Sequence, residues 1–122
     1  MSDIHDQVHD HFKMFSGSSI EELTGQAARF VAEGGLAPKS IGVEYLEGAK
    51  RFVLTLGYRA DEPGYGVSFE LRDLGRADDL ADLTGIEERL RGVAAKTPGI
   101  LCHELYINAA HEFFLVIMRL AD

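Results

Sequence analysis

The chain of 122 residues has no tryptophan, a single cysteine and no long apolar run, and each shortage removes a class of answers. With Cys102 alone, an internal disulfide is impossible and a cysteine-built metal cluster is excluded. No stretch approaches the roughly 18 consecutive apolar residues that a membrane-spanning helix needs. The segment from Met1 to His11 is polar and acidic, without the basic and apolar regions of a signal peptide, so a cytoplasmic location is expected. Basic residues are also scarce: 12 stand against 20 acidic ones, for a net charge of −8. They form no stripe, whereas phosphate backbones and anionic lipids select clustered Lys and Arg. Neither nucleic acid nor membrane is therefore an expected partner. Without tryptophan, and with Tyr45, Tyr58, Tyr65 and Tyr106 scattered through strands and turns, no aromatic ladder for single strands is visible.

Motifs are missing as well. There is no internal repeat and no low-complexity tract. Gly64-Tyr65-Gly66 is too short to cradle a phosphate and has no Lys or Ser/Thr to complete a P-loop; it reads as turn chemistry. No nucleophile elbow, kinase set or dinucleotide fingerprint occurs. Nothing calls for a cofactor or a metal, and no residue is assigned a catalytic role.

What is present suits one globular domain. The length is that of a single domain, able to bury roughly two thirds of its unfolded surface, and 46% of the residues are hydrophobic. Ile4, Val8, Phe12 and Phe15 recur at helical spacing and predict a first helix over 3–15, capped by Ser2. After the short Ser16–Ser19 connection a second helix is expected over 20–33. Ser18 with Glu21 and Ser19 with Glu22 offer two overlapping capping boxes, Ile20, Leu23, Ala27, Phe30 and Val31 form a buried face, and Gly34-Gly35 stops the helix.

Three strands are predicted next, over 39–46, 51–59 and 65–74, the last alternating Val67, Phe69, Leu71 against Ser68, Glu70, Arg72. A short helical turn at 78–83 leads to a third helix, capped by Thr84 with Glu87 and striped by Ile86, Leu90, Val93 and Ala94. Thr97-Pro98-Gly99 ends it. A hairpin of 100–108 and 111–120, turning at Ala109-Ala110, closes the chain. The expected fold is a single α+β domain over 1–122, with a mainly antiparallel five-stranded sheet, helices on one face and the order ααβββαββ.

The last strand suggests an interface. Phe113, Leu115 and Ile117 point one way, and Phe114, Val116 and Met118 the other. A strand apolar on both faces needs cover on both. Short helices on one face leave the other to a second copy of the chain, so Phe113, Leu115 and Ile117 are the expected homodimer contacts. The competing arrangement wraps the first helix around to that side.

Two clusters invite chemistry. His5 and His9 lie one turn apart on the expected first helix and could share a metal, but nothing nearby completes a ligand set, and a solvated helix face accounts for them. Cys102, His103 and Glu104 are adjacent in sequence, yet neighbours in a strand point to opposite faces. A two-residue turn would set His103 opposite Val116 as a buried, hydrogen-bonded core histidine. Glu104 would then share a face with Leu115 and Ile117 and pair with Arg119, or with Arg59 or Arg72 from another strand; its sharper reading is a general acid raised by burial. For a small-ligand pocket between sheet and helices, His103, Glu104 and Tyr106 are the residues to inspect.

The order of elements resembles that of the small acidic dimeric chaperones of type III secretion, which run helix, three strands, helix, two strands and a final helix. The likeness is one of order alone; here Asp122 follows the last strand directly. It implies a dimeric binding role, as fold analogy only. The expected function is thus a non-catalytic homodimeric module that binds another protein. One alternative is a small-ligand-binding protein or enzyme with its pocket near His103 and Glu104. Another is an immunity-like protein that neutralises a basic partner through its acidic surface.

Overall fold

The computed structural model describes residues 11–121. The His5/His9 pair and most of the expected first helix lie outside them. The first described element is a strand, β1 (His11–Gly17), followed by the helix α1 (Ile20–Gly34), β2 (Ala37–Leu46), β3 (Arg51–Arg59) and β4 (Val67–Arg76). A single 3₁₀ turn at Leu80–Asp82 then enters the helix α2 (Leu83–Lys96), and β5 (Ile100–Ile107) and β6 (Glu112–Leu120) complete the fold.

The α+β class and the antiparallel pairing are as expected. The single five-stranded sheet is not: six strands form two three-stranded sheets, in the orders β1-β3-β2 and β4-β6-β5. From α1 onward the expected order holds; the difference is at the start, where 11–15 is strand and not helix. Phe12 and Phe15 fit a helical step, but Phe12, Met14 and Ser16 against His11, Lys13 and Phe15 fit a step of two equally well. Seven residue pairs with β3, from His11↔Tyr58 to Gly17↔Phe52, settle the matter by giving this segment a backbone ladder.

Each half of the chain repeats one topology: strand, helix, strand, strand, with the last strand inserted between the first two. The two outer strands of each sheet are parallel to one another, so they need a long crossover, and the helix supplies it. The tight hairpin that follows fills the gap.

The local signals for α1 are met. Ser19 Oγ accepts from the Glu22 N–H at 3.2 Å, and Glu22 Oε1 accepts from the Ser18 N–H at 2.8 Å. Ser19 is thus the N-cap, and Gly35, at φ 59°, closes the other end in the left-handed conformation. The expected Thr84–Glu87 box does not start α2. Asp79 and Asp82 form a reciprocal capping box one turn earlier, at the 3₁₀ segment.

Two cores result. The larger joins Leu23, Ala27 and Val31 of α1 to Leu54, Leu56, Ile41 and Val43 of the first sheet, and to Val116, Met118 and Val67 of the second. The smaller lies on the opposite face of the second sheet, where Ile86, Leu90 and Val93 of α2 cover Leu74, Leu115 and Ile117. Both faces of β6 are therefore filled within one chain. α1 serves both sheets, while α2 serves only the back of the second, so no described helix covers the back of the first.

Candidate functional site

The β5–β6 hairpin decides where the candidate residues go, and its loop is one residue longer than expected. Asn108 N–H donates to the Glu112 carbonyl at 3.1 Å, leaving 109–111 as the loop, with His111 at φ 64°. Three-residue hairpins that end on a left-handed position are a common solution. The extra residue pairs His103 with Ile117 and Glu104 with Val116. One residue of slip exchanges every side chain between faces, and both assignments change with it.

His103 is not a buried core histidine. It is exposed and borders an apolar groove of about 300 Å³ between α2 and β5, lined by Leu90, Val93, Ala94, Ile100 and Ile117. Glu104 faces the larger core and points at β2. There the Val43 N–H donates to Glu104 Oε2 at 3.4 Å, so the carboxylate stands where a neighbouring strand's carbonyl would be. Ile41 lies beside Cys102, Val43 beside Glu104 and Tyr45 beside Tyr106, so β2 and β5 run side by side in one direction, sealed by side chains and not by a ladder. The expected Glu104–Arg119 pair does not form: Arg119 Nε donates to Glu70 Oε2 on β4 at 2.7 Å. Arg59 pairs with Asp61 and Glu62, and Arg72 with Glu70.

Cys102 is half-buried, and burial pushes its thiol up to about 11, against the smaller opposing effect of the Ile41 backbone N–H. A thiol at that value carries about a hundredfold less thiolate at pH 8 than one at the ordinary 9.0. The more basic thiolate is also roughly tenfold more nucleophilic, so native protein should react with an aromatic disulfide reagent about tenfold more slowly than urea-unfolded protein at that pH, and more slowly still where burial blocks access. Equal rates would show that Cys102 is neither shielded nor shifted.

Tyr106 shares a face with Glu104 but sits beyond it, at the end of the seam. Its ring packs edge-on against Phe52 at 5.7 Å, and Phe52 packs edge-on against Tyr45 at 4.9 Å. These rings wall a cleft of about 550 Å³ whose rim carries Glu44, Glu47 and Asn108. The tyrosine hydroxyl is pushed up by burial, with the Tyr45, Glu47 and Glu44 charges acting the same way. His103, Glu104 and Tyr106 thus occupy three different surroundings: the α2 groove, the seam and the aromatic cleft. The structure does not bring them together as one pocket. Among the described residues no group of His, Cys, Asp and Glu is placed to hold a metal ion.

The expected interface residues are also displaced. Leu115 is 6% and Ile117 0% exposed beneath α2, and Phe113 is half-buried at its rim. They are core residues of the single chain. The open apolar surface lies instead on the back of the first sheet, where Phe12 is 66%, Met14 64% and Leu46 50% exposed, beside half-buried Val53. Phe12 lies across Gly57, whose missing Cβ leaves room for the ring. Sequence reasoning missed this face because Phe12 was assigned to a helix. Alternation over 11–16 was the signal that could have found it. No helix is long and apolar enough to cross a membrane among the described residues. In comparisons with known proteins, no family model, no curated protein and no solved structure matches this chain.

Proposed function

We propose that the protein is a non-catalytic binding module that works as a homodimer, assembled through β1 and the back of the first sheet. The observation that carries the reading is the open apolar face of Phe12, Met14, Val53 and Leu46, which no described helix covers. The edge of the sheet favours a second copy as the cover. Among the described residues, nothing pairs with the outer edge of either β1 or β4. β4 is guarded by Glu70, Arg72, Asp73 and a bulge before Gly75, which are devices that discourage edge pairing. β1 carries only Lys13 in the stretch from Phe12 to Gly17. Antiparallel pairing of β1 with its symmetry mate is isologous and would set Phe12 and Met14 of one copy against those of the other across the two-fold axis, where each buries part of its neighbour.

Size-exclusion chromatography with light scattering tests this. The wild-type chain should run with the mass of two chains, and the double substitution Phe12→Ser, Met14→Ser should run as one. Both side chains are exposed, so circular dichroism should be unchanged. A single-chain mass for the wild type at hundreds of micromolar would end the proposal.

A further inference from the structure

The aromatic cleft between the β2–β3 and β5–β6 turns has a composition that suits one kind of ligand. Tyr45, Phe52 and Tyr106 supply its walls, Glu44 and Glu47 its charge, and no Lys, Arg or His lines it. Asp61, Glu62, Glu70, Asp78 and Glu87 all have ion partners. Glu44 and Glu47 have none among the described residues, although Lys50 and Arg51 belong to the same hairpin. Both carboxylates are exposed at the mouth, above a half-buried aromatic floor.

Ring faces and carboxylates attract the same partner, a cation with an apolar stem. An anion would meet two fixed negative charges on a chain of net charge −8. A neutral apolar ligand would leave the carboxylates unused. At about 550 Å³ the cleft is within the range of small-molecule sites.

We infer that this cleft binds an organic cation, an alkylammonium or guanidinium group seated against Phe52 and Tyr106 with Glu44 and Glu47 at the mouth. Glu44 also borders the open face beside Met14, Leu46 and Val53, whereas Tyr45, Phe52 and Tyr106 do not line it. The same chemistry is offered by a free small amine and by a Lys or Arg side chain of another protein.

The test is a titration followed in amide proton–nitrogen spectra, with n-butyltrimethylammonium and n-butylguanidinium as probes and neutral 3,3-dimethylbutan-1-ol for comparison. Saturable shifts are expected at 44–47, 52 and 106–110 with the cations, and much weaker ones with the alcohol. Glu44→Gln with Glu47→Gln should weaken the cations about fivefold, and Phe52→Leu about threefold. Neither carboxylate is part of a core, so the double variant should fold as the wild type does. A short peptide with one central arginine forms the second arm. Tighter binding than n-butylguanidinium would assign the cation to a protein side chain, and equal or weaker binding to a free small molecule. Equal affinity for the alcohol, shifts outside these residues, or affinities untouched by removing both charges would overturn the inference.

Discussion

Leu23→Ala lowers the free energy of unfolding by about 2–5 kcal/mol, the range for emptying a fully buried leucine site. Leu23 is 0% exposed at the point where α1 meets the core shared by both sheets. The site cannot easily collapse, because its neighbours belong to a helix and two sheets that are each held by their own backbone ladders. Since α1 packs on β1 and β3 of one sheet and on β4 of the other, the loss should appear as one cooperative transition and not as the early melting of one sheet. Urea denaturation checks both points. Leu80→Ala is the matched control: Leu80 is mostly exposed, and its removal should change stability by no more than about 0.5 kcal/mol. A Leu23→Ala variant as stable as that control would mean that α1 is not seated as described.

Gly64→Ala should cost about 2–3 kcal/mol, near the upper end of the overpacking range. A Cβ at Gly64 would fall on the carbonyl group of Gly35 and lie 2.8 Å from the Leu36 amide nitrogen. Those are backbone atoms of the turn that closes α1, and Gly35 is already committed to a left-handed conformation. The connection between the two halves of the chain is held to that turn by the Tyr65 N–H donating to the Leu36 carbonyl at 3.3 Å and by the Tyr65 hydroxyl donating to the Pro38 carbonyl at 2.9 Å. Relieving the clash means moving the connection and weakening both bonds. The same substitution at Gly25, inside α1 with open space around it, should instead stabilise the protein by about 0.5–1 kcal/mol. Opposite signs for the two variants in thermal or urea melts are the expected result. Equal effects would show that close backbone approach is not what keeps glycine at 64.

The parts that could be read in advance share one property: their signals are complete within a few residues. Ser19, Glu22 and Gly35 define α1 through hydrogen bonds spanning three or four positions, and its buried face of Ile20, Leu23, Ala27 and Val31 follows from helical spacing. β4 is legible because Val67, Phe69 and Leu71 alternate with Ser68, Glu70 and Arg72. The segment 11–15 failed for the complementary reason. Its apolar residues satisfy two periods, and only pairing with β3, some forty residues further on, selects one. The hairpin loop differs by a single residue, His111, and that is enough to carry His103 from the core to the surface and Glu104 from the expected Arg119 to the edge of β2.

By itself the chain determined the α+β class, the position of α1, the strands that follow it and the absence of familiar reaction motifs, since composition and short-range hydrogen bonding suffice for these. Only the tertiary structure decided that the strands divide into two sheets, that both faces of β6 close within one chain, and that apolar surface is left open beside Phe12 and Met14. Those outcomes depend on register and on which helix covers which face. They are set by contacts between residues far apart in sequence, about which local periodicity carries no information.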